Sequence, residues 1–282
     1  MRTPGANLGF SLAVGEERMG GQCYLLSLEE FFDGADVEKN FREALDKVDG
    51  VRRKKAECLR MKETRAACLG AGLLLQLAVQ EALKETYGNK ICIRTEADQD
   101  IKFSGREEYP YQLPVYTVPR ILGLLGQPLD LEMYYGGKGK PYLRDYPFYF
   151  NLSHSGSYVV CALSKQEVGV DIQQYKRTDI DRLAERFYSS EEKKALKACH
   201  DRKEQEQLFY QLWTRKEAYG KLTGEGIAAV IDRSVLPAME GEAPAIGGEP
   251  LSAEAWVDPP LIWQEWTLEG YGIALCQYGS RS

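Results

Sequence analysis

The spacing of hydrophobic and polar residues predicts helices and strands in both halves of the chain. Apolar runs predict strands at 23–28, 91–93, 131–135, 148–152, 158–163, 167–172, 261–268 and 271–278. Apolar residues at helical spacing predict helices at 35–47, 51–83, 121–125, 180–188, 189–200 and 204–222. Two signals mark helix ends: Ser189 and Glu192 form a capping-box pattern, and Gly224 follows the last helix. Helices and strands that share the chain in this way indicate an α+β fold.

A faint repeat links the two halves. The run 271–276 loosely echoes the run 158–163, since both begin with tyrosine and continue with apolar residues. Each run would be the last strand of its half. We therefore expect two similar lobes, residues 1–166 and 167–282, in a pseudo-twofold arrangement. Residues 1–20 are rich in glycine and polar side chains, and we expect them to be poorly ordered.

Composition narrows the possible functions. The chain has 282 residues, of which 44% are hydrophobic and 28% charged. Both fractions are ordinary for a soluble globular protein and argue against large-scale disorder. The net charge is −6, so the overall electrostatic field favours neither nucleic acid nor an anionic membrane as a partner. An anionic ligand would need a local basic patch.

The seven cysteines indicate a reducing compartment. Their number is odd, no two form a Cys-x-x-Cys pair, and several lie in apolar runs. Buried thiols explain this usage better than a disulfide framework. We find no apolar run as long as a membrane span and no signal-peptide core at the start of the sequence, so we expect a cytoplasmic protein without a membrane partner.

The residues with the greatest chemical potential lie between Phe150 and Lys221. Ser153 and His154 stand where a strand is expected to end in a turn, and both can donate hydrogen bonds to an anion. Asp171 lies in an almost wholly apolar strand, where a carboxylate is costly to bury without a partner. A metal ion explains Asp171 as well as a backbone or arginine contact does.

Glu217 and Lys221 are four residues apart on a predicted helix. They therefore share one face of that helix, one turn apart. A carboxylate and an ammonium in this arrangement suit divalent-metal chemistry on a phosphate or diphosphate. An ordinary surface ion pair, worth roughly a few tenths of a kcal/mol, is the simpler alternative. Trp213 precedes Glu217 by one turn and is expected to belong to the apolar core.

Two basic segments are candidates for anion contacts. The run 52–55 consists of four basic residues, which either bind an anion or form a solvated helix face. The run 136–142 places Lys138 and Lys140 among glycines on a predicted turn. It is not a Walker A loop, because Pro141 follows Lys140 where a serine or threonine is required. Its lysines either meet a phosphate or are exposed on a hairpin.

In order and spacing, these segments resemble the 4′-phosphopantetheinyl transferases, and in particular their monomeric, two-lobed branch that activates surfactin synthetase. The resemblance extends over roughly residues 20 to 230. Its motifs are Lys140-Pro141, Phe-Asn-Leu-Ser-His-Ser at 150–155, Val-Gly-Val-Asp at 168–171, Arg-Phe-Tyr at 186–188 and the run 209–221, preceded by a basic helix at 52–65. Each motif is weak alone, but their common order makes the resemblance specific.

The resemblance implies a fold and a reaction. The active site would lie in the cleft between the two lobes. The enzyme would transfer the 4′-phosphopantetheine group of coenzyme A to a serine of an apo acyl or peptidyl carrier protein and release 3′,5′-ADP. The diphosphate of coenzyme A requires a hard cation with oxygen ligands, which in a cell implies Mg²⁺. Coenzyme A and the carrier protein are thus the expected partners of a monomeric enzyme.

The resemblance also assigns roles to single residues. Asp171 and Glu217 would bind the metal, and Lys221 would neutralise charge on the leaving diphosphate. Glu217, directly or through a water, or Lys221 would accept the proton of the serine. The coenzyme would be held by Lys140, Ser153 and His154, with Arg52 and Lys55 as further phosphate contacts and Lys216 as a contact to coenzyme or carrier.

One position departs from the family pattern. The surfactin-type branch has Val-Gly-Ile-Asp-Ile-Glu, whose last residue is a third metal ligand. This chain has Gln173 at that position. Gln173 and Asp171 point the same way along a strand, so the amide could bind the metal through its oxygen or through water. The loss of one negative charge would lower the affinity for metal.

The expected carrier protein is acidic, so its docking needs a local basic patch on this acidic chain. Five basic residues cluster near Phe187 and Tyr188: Arg182, Arg186, Lys193, Lys194 and Lys197. We expect this cluster to bind the carrier, with charge setting the association rate. Two other functions stay open at this point: a weak or inactive module that binds coenzyme A or carrier, which Gln173 favours, and a metal-dependent phosphohydrolase.

Overall fold

A computed structural model describes residues 21–87, 113–231, 233–236 and 261–279. Within these ranges the chain mixes helices with mainly antiparallel strands, which confirms the α+β fold. Two expectations fall outside the described residues: the poorly ordered start at 1–20 and the short strand at 91–93.

The elements before residue 166 are as follows. The strands are β1 (Gln22–Ser27), β2 (Val115–Tyr116), β3 (Met133–Tyr135), β4 (Pro141–Leu143), β5 (Tyr149–Ser155) and β6 (Tyr158–Ser164). The helices are α1 (Val37–Lys47), α2 (Gly50–Cys58), α3 (Lys62–Tyr87) and α4 (Val118–Leu124), with a 3₁₀ turn at Glu29–Phe31.

The elements after residue 166 match their predicted positions closely. They are β7 (Val168–Gln174), α5 (Ile180–Phe187), α6 (Ser190–Ala198), α7 (Arg202–Thr223), a 3₁₀ turn (Ile227–Val230), β8 (Leu261–Leu268) and β9 (Tyr271–Tyr278). The capping box of α6 is confirmed: the Ser189 hydroxyl accepts from the Glu192 backbone amide, and the Glu192 carboxylate accepts from the Ser189 amide. Gly224 ends α7 with φ +72°.

The two larger sheets share the arrangement of three strands, and the first has β2 as an additional edge strand. In the first, the order is β2-β1-β6-β5, and β6 pairs antiparallel with both β1 and β5. In the second, the order is β7-β9-β8, and β9 pairs antiparallel with both β7 and β8. The two echoed runs are therefore the central strands of their sheets. β3 and β4 form a separate two-stranded hairpin.

The long basic-to-apolar segment forms two helices rather than the single helix predicted from its periodicity. α2 ends at Cys58, and α3 begins at Lys62 after a short extended link. The break lets α2 fold back onto α3, where the Arg52 guanidinium donates to the Cys68 carbonyl over 3.2 Å. Gly72 permits this close approach, since a Cβ there would lie 2.2 Å from the Arg52 side chain.

α3 is the core helix of the first sheet. Leu73, Leu74 and Leu75 are fully buried. They belong to one hydrophobic cluster with buried residues from the strands of the first sheet. The expectation that no apolar run is as long as a membrane span was wrong for this helix: within the described ranges, the segment Lys62–Thr86 is long and apolar enough to cross a membrane. However, 78% of its most apolar window is buried inside the protein. Burial on all sides explains a helix that is apolar over most of its surface.

The two sheets meet where β5 lies beside β7. The Val170 amide donates to the Asn151 side-chain oxygen over 3.1 Å, and the Gln174 amide donates to the Ser155 hydroxyl over 3.0 Å. α7 packs across β7 on the second sheet. This junction brings the polar end of β5, the middle of β7 and the last turns of α7 to one place.

Candidate active site

A cleft of about 390 Å³ opens at this junction. Residues of β5, β7 and α7 line it. They are Leu152, Ser153, His154, Asp171, Ile172, Gln173, Trp213, Glu217 and Lys221. The structure therefore brings together most of the residues that the sequence singled out between 150 and 221. Lys140, Lys216, Arg52 and Lys55 do not line this cleft.

Asp171 is the buried acid of the cleft, with 5% of its surface exposed. One carboxylate oxygen, Oδ1, accepts from the Ser153 hydroxyl and from the Lys221 ammonium, each over 2.7 Å. The other oxygen, Oδ2, is buried and has no hydrogen-bond partner among the described residues. A buried carboxylate oxygen without a partner is costly, so a cation at this position would be strongly favoured.

Lys221 connects the first sheet to the second. Its ammonium also donates to the Ser153 hydroxyl over 2.8 Å and approaches the Val170 carbonyl at 3.3 Å. Just over a quarter of the side chain, 28%, remains exposed to the cleft. The ammonium is thus held in place by neighbours and still faces the space where an anion would lie.

Glu217 is half-buried on the same face of α7, one turn before Lys221. Loss of hydration raises the pKa of its carboxyl above the usual range, and the nearby negative charge of Asp171 adds to the rise. Lys221 offsets part of this effect. A half-buried carboxyl close to a buried carboxylate is a typical arrangement for a divalent cation.

His154 lies at the mouth of the cleft. Partial loss of hydration lowers the pKa of its imidazole, and the positive charge of Lys221 lowers it further, while Asp171 acts in the opposite direction. The ring is therefore neutral near pH 7 and can donate one hydrogen bond to an anion while accepting another. His200, the other histidine, is exposed on the surface.

The donor set fits a hard divalent cation. Asp171 offers a free buried oxygen, Glu217 a desolvated carboxylate, and Gln173 an amide that lines the cleft and donates to the Gln174 carbonyl over 3.2 Å. Among the described residues, no group of three or more His, Cys, Asp and Glu side chains is arranged to bind a metal. The site therefore has two carboxylates, with an amide in the third position.

Trp213 packs against the core cluster that contains Phe209, as expected from the sequence, and it also lines the cleft. With Phe187, which packs on it but does not line the cleft, Trp213 forms an aromatic wall at the cleft. The Trp213 ring packs edge-on against Phe187 with centroids 5.3 Å apart. The Arg186 guanidinium lies 5.0 Å from the Phe187 ring. Trp213 stands one helical turn before Glu217, and this spacing was the signal that placed it on the same face.

Lys140 is buried under the β3–β4 hairpin, away from the cleft. Its ammonium pairs with Glu167 and donates to the carbonyls of Val168, over 3.2 Å, and Leu222, over 2.8 Å. Only 5% of its side chain is exposed. Its neighbour Lys138 is exposed and pairs with Glu225. The run 136–142 is thus a hairpin turn, with Gly139 at φ +82°.

Lys216 is fully buried on the opposite side of α7 from the cleft. Its ammonium lies 2.9 Å from the Glu192 carboxylate, which is also fully buried. It also donates to the backbone carbonyls of Val230, Ile231 and Arg233. These contacts join α7 to α6 and to the 3₁₀ turn that follows α7.

The basic run of α2 lies apart from the cleft. Lys55 is exposed, and Arg52 packs against α3 with 15% of its side chain exposed. The Arg52 Nε atom is buried without a hydrogen-bond partner among the described residues.

Comparison with known proteins bears on the second half of the chain. Residues 167–276 match the family model of the 4′-phosphopantetheinyl transferase superfamily. The 4′-phosphopantetheinyl transferase psf-1 of Bacillus pumilus is 47% identical over 93 residues, which are 33% of this chain and 39% of that protein. The transferase Sfp of Bacillus subtilis (strain 168) is 41% identical over 95 residues, 33% of this chain and 42% of Sfp.

A longer match is with the 4′-phosphopantetheinyl transferase gsp of Aneurinibacillus migulanus, which is 31% identical over 138 residues, 49% of this chain and 54% of gsp. The matched part of the chain therefore spans about two fifths to one half of the length of these curated relatives. It contains the acids of β7 and α7, Asp171 and Glu217, together with Gln173 and Lys221.

The buried pair of Lys216 and Glu192 generates a stability prediction. Lys216→Met removes the ammonium and leaves a fully buried carboxylate without its counter-charge, so the free energy of unfolding should fall by about 3–5 kcal/mol. Urea unfolding followed by circular dichroism measures this loss. The control is Lys203→Met, an exposed lysine on the same helix, which should change stability by less than about 0.5 kcal/mol. Equal, small effects of both substitutions would contradict the prediction.

Proposed function

We propose that the chain, whose residues 167–276 match the family model of the 4′-phosphopantetheinyl transferase superfamily, transfers the 4′-phosphopantetheine group of coenzyme A to a serine of an apo carrier protein. The serine hydroxyl attacks the phosphorus next to the pantetheine arm, the bond within the diphosphate breaks, and 3′,5′-ADP leaves. One observation carries this proposal. Asp171, with its unpartnered buried oxygen, shares a cleft with Glu217 and Lys221.

Mg²⁺ is the proposed metal of this cleft. Asp171 and Glu217 would hold it, with Gln173 as a further oxygen ligand, directly or through water. When bound, the cation supplies charge neutralisation for the diphosphate. The support is the donor set itself, which consists of hard oxygen atoms.

The remaining cleft residues bind and orient the substrate in this proposal. His154 donates to the phosphates of coenzyme A from the end of β5. Ser153 lies beside it and would reach a phosphate by exchanging its hydrogen bond to Asp171 for one to the ligand. Lys221 stabilises negative charge on the leaving diphosphate, since its ammonium faces the cleft and is fixed by Ser153 and Asp171.

The proton of the attacking serine passes to Glu217 or to Lys221. Glu217 would accept it directly or through a water, since its carboxylate lines the cleft beside Asp171 and Lys221. We also propose Arg52 and Lys55 as further contacts to the phosphates of coenzyme A. Lys216 is left out of the coenzyme-binding set because it is fully buried beside Glu192.

The strand order supports the finer architecture that we propose, two lobes of residues 1–166 and 167–282 in a pseudo-twofold arrangement. In the first sheet, β6 lies between β1 and β5. In the second sheet, β9 lies between β7 and β8 in the same way. The first residues of the two central strands, Tyr158 and Tyr271, pack against each other with ring centroids 5.0 Å apart. Equivalent residues meet in this way near a twofold axis. We propose a monomer in the cytoplasm.

The carrier protein is proposed to dock beside the aromatic wall of the cleft. Arg182, Arg186, Lys194 and Lys197 are exposed on α5 and α6. Arg186 lies over Phe187, and Phe187 packs on Trp213, so the basic surface is continuous with the cleft. An acidic carrier helix on this surface would bring its serine to the acids of the cleft.

The transfer reaction is tested by intact mass spectrometry of an apo carrier protein incubated with coenzyme A, Mg²⁺ and the protein. We expect addition of the phosphopantetheine arm. Glu217→Ala should lower the transfer rate at least about 100-fold, because it removes a metal ligand or general base. A matched control is Glu206→Ala, which lies three turns earlier on the same helix face and outside the cleft.

The other outcomes of this assay are equally informative. The absence of any mass shift with several unrelated carriers would favour a binding module and overturn the proposal. Release of ADP without a carrier would favour a phosphohydrolase. Full activity of Glu217→Ala would remove Glu217 from the site, and circular dichroism of that variant checks that its fold is intact.

Gln173 generates a prediction about metal affinity. Gln173→Glu restores a third negative charge beside Asp171, so transfer should be retained and the Mg²⁺ concentration for half-maximal activity should fall several-fold. Calorimetric titration with Mg²⁺ measures the affinity directly. Gln174→Glu adds the same charge on the neighbouring residue, whose side chain approaches Gly156, and should have a smaller effect. An unchanged metal affinity in Gln173→Glu would place Gln173 outside the metal site.

The docking surface is tested by reversal of its charge. Arg186→Glu combined with Lys193→Glu should raise the apparent KM for the carrier about tenfold or more and leave the KM for coenzyme A nearly unchanged. Lys39→Glu with Arg42→Glu on α1 changes the net charge equally on exposed residues and is the control. Equal increases in both KM values, or equal effects of the two double variants, would exclude this surface.

A further inference from the structure

Lys140 occupies a position that its proposed part in phosphate binding does not explain. It follows Gly139 in the turn of the β3–β4 hairpin, directly before β4, and does not line the cleft. Its ammonium contacts three oxygen atoms: a carboxylate oxygen of Glu167, the Val168 carbonyl and the Leu222 carbonyl. An ammonium has three hydrogens to donate, and these acceptors account for all three.

We infer that Lys140 is a positioning residue, whose buried ammonium holds the C-terminal end of α7 against the start of β7 and thereby fixes Lys221 and Glu217 opposite Asp171. The inference rests on the proposed transfer function. It differs from a contact between Lys140 and the 3′-phosphate of coenzyme A.

The two backbone contacts of Lys140 join the two elements that carry the catalytic groups. Leu222 follows Lys221 directly on α7. Val168 begins β7, three residues before Asp171, or about 10 Å along a strand. A shift of either element at the Lys140 contact would therefore change the separation between Lys221 and Asp171, which is now 2.7 Å.

The end of α7 has a specific need for this cation. The last carbonyls of a helix have no partner within the helix and carry partial negative charge. Lys140 donates to one of them, on Leu222, over 2.8 Å. Gly224, which ends the helix at φ +72°, lies next to Lys140. The hairpin thus caps the helix from outside.

A second contact strengthens the same link at the surface. Lys138, on the turn of the hairpin, pairs with Glu225, just beyond the end of α7. The Lys138 side chain is 57% exposed, so this pair contributes little to stability. It therefore provides a control that lies two residues from Lys140 and touches the same end of the helix.

Lys221 and Lys140 differ in their exposure to the cleft. Lys221 also has three oxygen neighbours, but 28% of its side chain is exposed and it lines the cleft. Lys140 is 5% exposed and does not line the cleft. Release of Lys140 to a phosphate would leave Glu167 without its ammonium and the Leu222 carbonyl without its cap.

The test compares Lys140→Met and Glu167→Gln with Lys138→Met. Transfer is measured with coenzyme A and with 3′-dephospho-coenzyme A, which lacks the phosphate in question. We expect Lys140→Met to lower kcat about tenfold or more, to change KM for coenzyme A less than about twofold and to preserve the preference between the two coenzymes. Glu167→Gln should lower kcat less, and Lys138→Met should behave as wild type.

A direct phosphate contact predicts the opposite pattern. Lys140→Met would then raise KM for coenzyme A, and the preference over 3′-dephospho-coenzyme A would disappear. Glu167→Gln would free Lys140 and leave kcat unchanged or lower the KM. Either result overturns the inference. Glu167→Gln keeps the buried lysine and its carbonyl contacts, so it reports on the link even where Lys140→Met does not fold.

Hydrogen exchange separates failure of this inference from failure of the proposed function. In Lys140→Met and, more weakly, in Glu167→Gln, the amides of residues 218–223 should exchange several-fold faster than in wild type, and in Lys138→Met they should not. This measurement needs no transfer activity. Unchanged protection of these amides would overturn the inference even if wild type is an active transferase, and a wild type without transfer would overturn only the proposed function.

Discussion

The cleft depends on how closely α7 lies against β7. The contact is made at Gly169, where a Cβ would stand 2.0 Å from the Ala218 carbonyl oxygen and 2.6 Å from the Leu222 amide. Any side chain at this point would push the helix away from the strand. Glycine on the strand allows backbone to meet backbone. Lys221, one turn beyond Ala218 on the helix, then reaches Asp171 on the strand at hydrogen-bond distance.

The lysines near this contact share one set of interactions. Three lysines near α7, Lys140, Lys216 and Lys221, each pair with a carboxylate and donate to backbone carbonyls. Removal of an ammonium from water is costly, and each of these contacts offsets part of that cost while fixing a helix end, a helix side or a cleft wall. The one buried carboxylate oxygen left without a partner, among the described residues, is on Asp171 in the cleft.

Local patterns were sufficient to predict the elements that form the site. Periodicity predicted β5, β6, β7, β8, β9 and α7, because within one element the spacing of apolar residues follows its buried face. The pair Glu217 and Lys221 was found for the same reason. The break between α2 and α3 was missed, since periodicity does not record the tertiary contact of Arg52 with the Cys68 carbonyl that accompanies it.

Side-chain environments that depend on distant segments could not be predicted. Lys138 and Lys140 are two residues apart in one glycine-rich turn, yet one is exposed and the other buried. The difference arises from Glu167 and Leu222, which are 27 and 82 residues away in the chain. Trp213 was assigned to the core because it belongs to an apolar stripe of α7. The stripe alone does not show which of its residues also line a cleft.

The contacts of Ser153 have a consequence for the folding of this protein. Ser153 belongs to a strand of the first sheet, while both partners of its hydroxyl, Asp171 and Lys221, belong to the second sheet and its helix. The cleft therefore does not exist in either sheet alone. A chain that has folded only one sheet has no complete site, so an unfinished molecule cannot capture a ligand. A ligand that fills the finished cleft stabilises the union of the two sheets, and its affinity becomes part of the cohesion of the whole protein.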